Sequence, residues 1–153
     1  PRFAIDGCSA PNHATTVHGL ARAMSVFATA HDRSDTRSKA AVALRDAMMA
    51  YPELVAGEGR ACTNLMRACA GRVAIKGGAE GVYVAIIPEL RTGVALKITD
   101  GASRASECAL AAILVKLGVL DPAHPDAALY FKPEITNWRK TVTGHMTPAA
   151  ALL

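Results

Sequence analysis

Residues 72–98 read RVAIKGGAEGVYVAIIPELRTGVALKI, and this stretch decides the fold. Three β-rich runs, 72–76, 81–87 and 93–98, are separated by links of only four and five residues. Links this short imply antiparallel neighbours, because a parallel crossover needs a dozen residues or more. The pattern therefore predicts a three-strand meander. In the first run Val73 and Ile75 share one face, with Ala74 and Lys76 on the other. The run 81–87 is apolar at both alternating sets of positions, which predicts a strand covered on both sides.

Helical periods flank the meander. From Ala14, the residues Val17, Leu20, Ala21, Met24, Phe27 and Ala28 recur on one helical face. Residues 31–35 carry charges of alternating sign and read as a solvated link. A second helix is expected over about 36–50, with Ala41, Leu44 and Met48 facing inward. Pro52, Gly57 and Gly59 break the chain, and a short third helix covers about 63–70. Beyond the meander, Asp100 is a candidate N-cap for a helix over 102–117, apolar nearly all round, as a helix buried under a sheet would be. At the other end, residues 2–5 read as a short strand running into an Asp6-Gly7 turn, and 8–12 as a loop. The tail, 121–153, holds four of the eight prolines and gives no clear pattern, although Trp138 reads as a packing anchor. Strands segregated from helices argue α+β, an antiparallel sheet with helices packed on it.

At 153 residues and 51% apolar, the chain is of one-domain size and has enough apolar material for a core, which excludes a disordered tail. No apolar run approaches the ~18 residues of a membrane span. The net charge of +4, from 17 basic and 13 acidic residues, is scattered along the chain, and the seven aromatics are too few and dispersed for base stacking. Neither a nucleic-acid partner nor a membrane is expected. Cys62 and Cys69 lie roughly 10.5 Å apart along a helix, beyond the ~7 Å Cα limit of a disulfide. Free thiols suit a reducing, cytoplasmic setting.

Two places hold residues able to do chemistry. In Asp6-Gly7-Cys8-Ser9-Ala10-Pro11-Asn12-His13, a carboxylate, a thiol and an imidazole fall within eight residues. A metal ligand or a nucleophilic thiol is one reading of Cys8. The spacing fits no zinc-finger pattern, and a buried, inert cysteine is the plainer reading. The second place is Lys76-Gly77-Gly78-Ala79-Glu80-Gly81. Taken alone it is a hairpin turn with a solvent-facing lysine. A lysine held in a dry site, however, loses basicity and can serve as a base, and glycines let a substrate amide lie against a sheet edge. Arg60 and Arg67 read as helix-surface residues and Arg104 as first-turn, while His31, His124 and His145 stand apart from one another. Neither S-x-x-K nor G-x-S-x-G occurs in the chain.

Together these segments resemble the Rhizobium etli-type L-asparaginases, or asparaginase II proteins. The matching pieces are Asp6-Gly7-Cys8-Ser9-Ala10-Pro11, His18-Gly19-Leu20-Ala21-Arg22-Ala23 and Leu65-Met66-Arg67-Ala68. More specific are Lys76-Gly77-Gly78-Ala79-Glu80-Gly81-Val82 and Ala95-Leu96-Lys97-Ile98-Thr99-Asp100-Gly101-Ala102. They keep their order from Asp6 to about Leu120. The resemblance implies a fold like the serine β-lactamases and glutaminases, and hydrolysis of L-asparagine to aspartate and ammonia. It implies a nucleophilic serine in S-x-x-K, a second serine paired with a lysine, and a zinc held by a C-x-x-K pair and a further cysteine. On this sequence Cys8 would be that further zinc ligand. Lys76 would be the lysine of the second pair. Asp6 would lie beside the metal and the substrate's charged end, with Gly77 and Gly78 beside the amide. A homodimer is also implied.

Two departures stand out. Where β-lactamase-like enzymes carry K-T-G, this chain reads Lys76-Gly77-Gly78, without the threonine hydroxyl. The S-x-x-K and C-x-x-K motifs belong before Asp6, where only five residues stand. The expectation is therefore a C-terminal part of a larger enzyme domain, opening on Pro1 without Met and inactive by itself. Such a part would expose the helix 102–117, with poor solubility or non-native association as the expected result. The alternatives are a glutaminase or another β-lactamase-like serine hydrolase, or a non-catalytic binding module of the same fold.

Overall fold

A computed structural model describes residues 2–153; Pro1, on which the reading of an unusual start falls, lies outside them. The chain is α+β. Its centre is the antiparallel meander β3 (Ala74–Gly77), β4 (Val82–Ile87) and β5 (Thr92–Lys97), in the order β3-β4-β5. Register pairs Lys76 with Val84, Gly77 with Tyr83, and Ile86 with Gly93.

Both faces of β4 are covered, as its apolar run predicts. On one side Ile75, Tyr83, Ala85, Ile87, Val94 and Leu96 pack with Leu65 and Met66 of α4 (Ala61–Ala68) and with Leu110 and Leu114 of α5 (Ser103–Lys116). On the other, Ala74 and Ile86 meet Ala28, Met24 and Phe27 of α1 (Val17–Ala28), and Met48 of α2 (Thr36–Ala50). Helix α1 rests directly on β5. A Cβ built at Gly93 would stand 2.2 Å from the Ser25 amide nitrogen and 2.3 Å from the Ala21 carbonyl oxygen. Only glycine lets helix and strand backbones approach this closely.

Helix α2 spans the expected residues, but its inward set differs. Leu44 is 62% exposed, whereas Arg45 is 5% exposed. The Arg45 guanidinium donates to the carbonyl oxygens of Phe27 (3.0 Å) and Ala28 (3.3 Å). It thereby satisfies the C-terminal carbonyls of α1, where a cation also suits the helix dipole. The link 31–35 is ordered by the same logic. Asp35 caps α2 through the Ser38 amide (3.0 Å), and Asp32 forms a two-pronged ion pair with Arg91.

Other boundaries are corrected by capping chemistry. Helix α1 starts at Val17 because the Thr16 hydroxyl accepts the Gly19 N–H at 2.9 Å. Pro52 opens a helix, α3 (Pro52–Ala56), where sequence alone reads a break; a first-turn proline loses no needed hydrogen bond. The N-cap of α5 is Ala102, without a side-chain bond, and Asp100 accepts the Ala102 N–H two residues upstream. Between Ala105 and Val115 no α5 residue is exposed, so the expected exposure of this helix does not occur. Part of its cover is α6 (Pro125–Phe131), begun by the His124 ring accepting the Asp126 N–H.

Two exposed hairpins stand at the two ends of the described chain. β1 (Phe3–Ile5) pairs with β2 (Pro11–His13), and β6 (Glu134–Thr136) with β7 (Val142–His145). Trp138 forms the tip of the second and is fully exposed, not a packing anchor. No helix among the described residues is long and apolar enough to cross a membrane.

The contact at Gly93 yields a direct test. Gly93→Ala should lower unfolding stability by about 3 kcal/mol or more through overpacking, read as a fall in urea midpoint. Gly144→Ala, where a Cβ meets nothing within 4 Å, should stay within about 0.5 kcal/mol of the parent.

Candidate functional site

At the C-terminal end of β3 the chain opens a cavity of about 480 Å³, lined by Lys76, Gly77, Gly78 and Ala79 together with the starts of α4 and α5. Because β3 is an edge strand, its outward backbone groups have no strand partner. Those of Gly77 are held by side chains: its N–H donates to the Cys62 thiol at 3.2 Å, and its carbonyl accepts from its neighbour Lys76 Nζ at 2.6 Å. Lys76 itself is exposed, so the plain reading of a solvent-facing lysine at a hairpin is borne out. Any desolvation of this ammonium must come from a group laid over it.

Gly77 has a local reason to be glycine. Tyr83 lies opposite it, and a Cβ at Gly77 would stand 3.1 Å from the Tyr83 ring. The Tyr83 ring takes the place a side chain at Gly77 would need, so the fold itself requires a glycine here.

The cavity also holds three residues that sequence reading leaves aside or assigns to the surface. Tyr83, buried, donates its hydroxyl to Glu107 Oε1 at 3.4 Å. Glu107 is half-buried on α5 and lines the same cavity as Arg60. Burial pushes the Glu107 carboxyl above the ordinary range, while the Tyr83 hydroxyl and the Arg60 charge pull it back. Burial likewise raises the Tyr83 phenol. Arg60 precedes α4 and is exposed; among the described residues its guanidinium makes no ion pair within 4 Å. The sequence signal for this group was faint: a charged residue just before one helix and a carboxylate one turn inside another, brought together only by the packing of both helices under β3.

Asp6 and Cys8 lie elsewhere. Asp6 Oδ1 accepts the N–H groups of Cys8 (2.8 Å) and Ala10 (3.1 Å), which fixes the tip of the first hairpin. Asp6 lines a different cavity, of about 640 Å³, between that hairpin, α1 and β5. Cys8 is exposed at the hairpin tip, so the expectation of a buried thiol is corrected: a two-stranded ribbon has no core to bury it in. Cys62, Cys69 and Cys108 are free and buried. Among the described residues no three His, Cys, Asp or Glu side chains come together as a metal site. The donors here offer zinc one exposed thiolate, and a closed shell would need ligands from beyond these residues.

A family model described as L-asparaginase II matches residues 1–148. No curated protein matches the chain.

Two measurements follow from this geometry. Under native conditions a thiol reagent should label one cysteine, Cys8, with the other three reacting only after unfolding; burial raises Cys69 to about 11 and slows its reaction further. Mass mapping of the labelled peptide checks this. The titration midpoint of Glu107, followed by carboxyl-carbon NMR, should lie above the ordinary range, and Tyr83→Phe should raise it further by removing a donor to the ionised form. With a folded value above the unfolded one, the stability from Glu107 is full at low pH and lost as pH rises through the folded value. Glu107→Gln should abolish that part of the pH dependence.

Proposed function

The chain belongs to the L-asparaginase II family, and on that footing we propose that it supplies one side of the active site of an L-asparagine amidohydrolase of the Rhizobium etli type. The observation that supports this is the end of β3, where Lys76, Gly77 and Gly78 border a polar cavity of ligand size. Both-face burial of a β3-β4-β5 meander suits a serine β-lactamase- or glutaminase-like fold.

The reaction would follow serine–lysine chemistry, with the nucleophilic serine on a segment outside these 153 residues. Its oxygen bonds to the side-chain amide carbon, the C–N bond breaks, and the nitrogen leaves as ammonia with the serine's proton. Water then cleaves the ester to release L-aspartate. A serine hydroxyl attacks only when a base takes its proton, and a lysine does so once desolvated. Lys76, as the lysine of a second serine–lysine pair, would lose water when the serine-bearing segment and substrate cover it, and would then leave the Gly77 carbonyl it now holds. The Gly77 and Gly78 backbone would flank the amide; Asp6, which lines a separate cavity, would face the substrate's charged end only with the first hairpin brought toward β3.

Cys8 would give zinc one thiolate ligand; the metal, when bound, would hold polar groups in place. Its exposed position leaves room for the remaining ligands to come from outside. A homodimer in the cytoplasm completes the proposal, the compartment suiting four free thiols. The isolated 153 residues are inactive in this reading.

Ammonia release from L-asparagine tests it. In the protein that includes the serine-bearing segment, Lys76→Ala should lower kcat about 100- to 10,000-fold with the fold retained. The 153 residues alone should give no turnover. Wild-type turnover that Lys76→Ala leaves intact would remove the serine–lysine assignment.

A further inference from the structure

Lys76 borders a second cavity, which the hydrolytic reading does not use. Ala74 pairs with Ile86 and Lys76 with Val84, and alternation puts these four side chains on the sheet face that α1 and α2 cover. Between that face and the helices lies a cavity of about 480 Å³, walled also by Met24 and Phe27 of α1 and by Leu44 and Met48 of α2. Its volume falls in the ~300–1,000 Å³ range of small-ligand pockets. The lining is apolar apart from Lys76 and Arg45, and no acidic residue among the described ones contributes to it.

The two cations are not equivalent. Arg45 is buried and committed, with Nε on Asp46 at 2.9 Å and Nη1 on the α1 carbonyls. Lys76 is exposed, and its ammonium rests on the carbonyl of its own neighbour, Gly77. Such a side chain can lay its methylene stem along an apolar wall and keep its charge in water. Leu44 lines the cavity although it is largely exposed, so a ligand that covers it gains the free energy of apolar burial. Met24 and Met48 bring unbranched side chains that adapt to ligand shape. An apolar hollow whose charges are all positive suits an apolar body carrying one negative charge. A neutral body leaves the lysine unused, and a cationic one is repelled.

We propose that this cavity binds an apolar monocarboxylate, with its chain against Val84, Ile86 and the α1 and α2 side chains and its carboxylate on Lys76 Nζ. Lys76 and Val55 also line the polar cavity at the end of β3, so the two sites share the lysine. A carboxylate bound from the apolar side draws the ammonium off the Gly77 carbonyl and keeps it charged. The ligand thereby inhibits a reaction that needs Lys76 as a base. The inhibition rests on the amidohydrolase reading; the binding does not.

The test is an NMR titration of the 153-residue chain with octanoate, 1-octanol and octylammonium, each at concentrations where it stays monomeric. Octanoate should bind most tightly and shift the methyl signals of Met24, Met48, Val84 and Ile86. Lys76→Met, which keeps an apolar stem, should weaken octanoate about 10- to 100-fold, the loss of one charged hydrogen bond, and leave 1-octanol unchanged. Leu44→Glu, at an exposed position, should weaken octanoate, whereas Leu44→Lys should not. Octylammonium binding as tightly as octanoate, cavity methyl signals that octanoate leaves unmoved, or an octanoate affinity that Lys76→Met leaves intact would each overturn the site. In the protein that includes the serine-bearing segment, octanoate should lower ammonia release from L-asparagine. Leu44→Glu should relieve that inhibition without changing the uninhibited rate. Full turnover with octanoate bound would overturn the sharing of the lysine. If the binding pattern holds but that protein releases no ammonia even without octanoate, the hydrolase reading fails and the apolar site stands.

Discussion

The contact between α1 and β5 at Gly93 is the constraint on which the layout depends. The helix backbone occupies the volume a side chain would need, so α1 sits at a fixed height on the sheet. Once it is there, its C-terminal carbonyls must find donors in a place from which water is largely excluded. Arg45 supplies them from α2 and ties that helix to the same face. The other face is left to α4 and α5. The cavity beside Lys76 exists because these two helices begin at the C-terminal end of β3 and do not extend past it.

The edge position of β3 explains the chemistry available there. A strand with no outer neighbour would ordinarily present a row of unpaired donors and acceptors. Here the Cys62 thiol and the Lys76 ammonium occupy the Gly77 groups; the thiol belongs to the core, whereas the exposed lysine can move away without unfolding the sheet. The Gly77 carbonyl is thus satisfied in the resting chain and releasable toward a ligand. A fourth strand would have satisfied the same groups permanently and closed the cavity.

Much of this was legible in the sequence, and the reasons for the misses are physical. The meander could be read because link length constrains strand direction, and because a strand buried on both faces shows no alternation. Helix α2 was legible in extent but not in facing, since a period places residues on faces without saying which polar residue a buried carbonyl will recruit. Leu44 looks more apolar than Arg45, yet Arg45 has the donors that α1 requires. Trp138 was misjudged for the opposite reason: large aromatics are commonly buried, but a two-stranded ribbon offers no interior.

The two hairpins show how local chemistry can repeat without a readable signal. Asp6 and Asn137 play one role at the two tips, each accepting through Oδ1 the N–H groups two and four residues on. Each is followed three residues later by a left-handed residue, Ser9 (φ 61°) and Lys140 (φ 61°). Glycine is the usual occupant of such a turn position, and neither chain segment has one there, so composition alone conceals the match. The carboxylate or amide oxygen compensates: by gathering two N–H groups it fixes the turn and offsets the strain of a side chain at positive φ. Asp6 therefore has a structural duty that any functional role must share. One of its oxygens already belongs to the turn, so only the other can face a metal or a substrate while the hairpin keeps its shape.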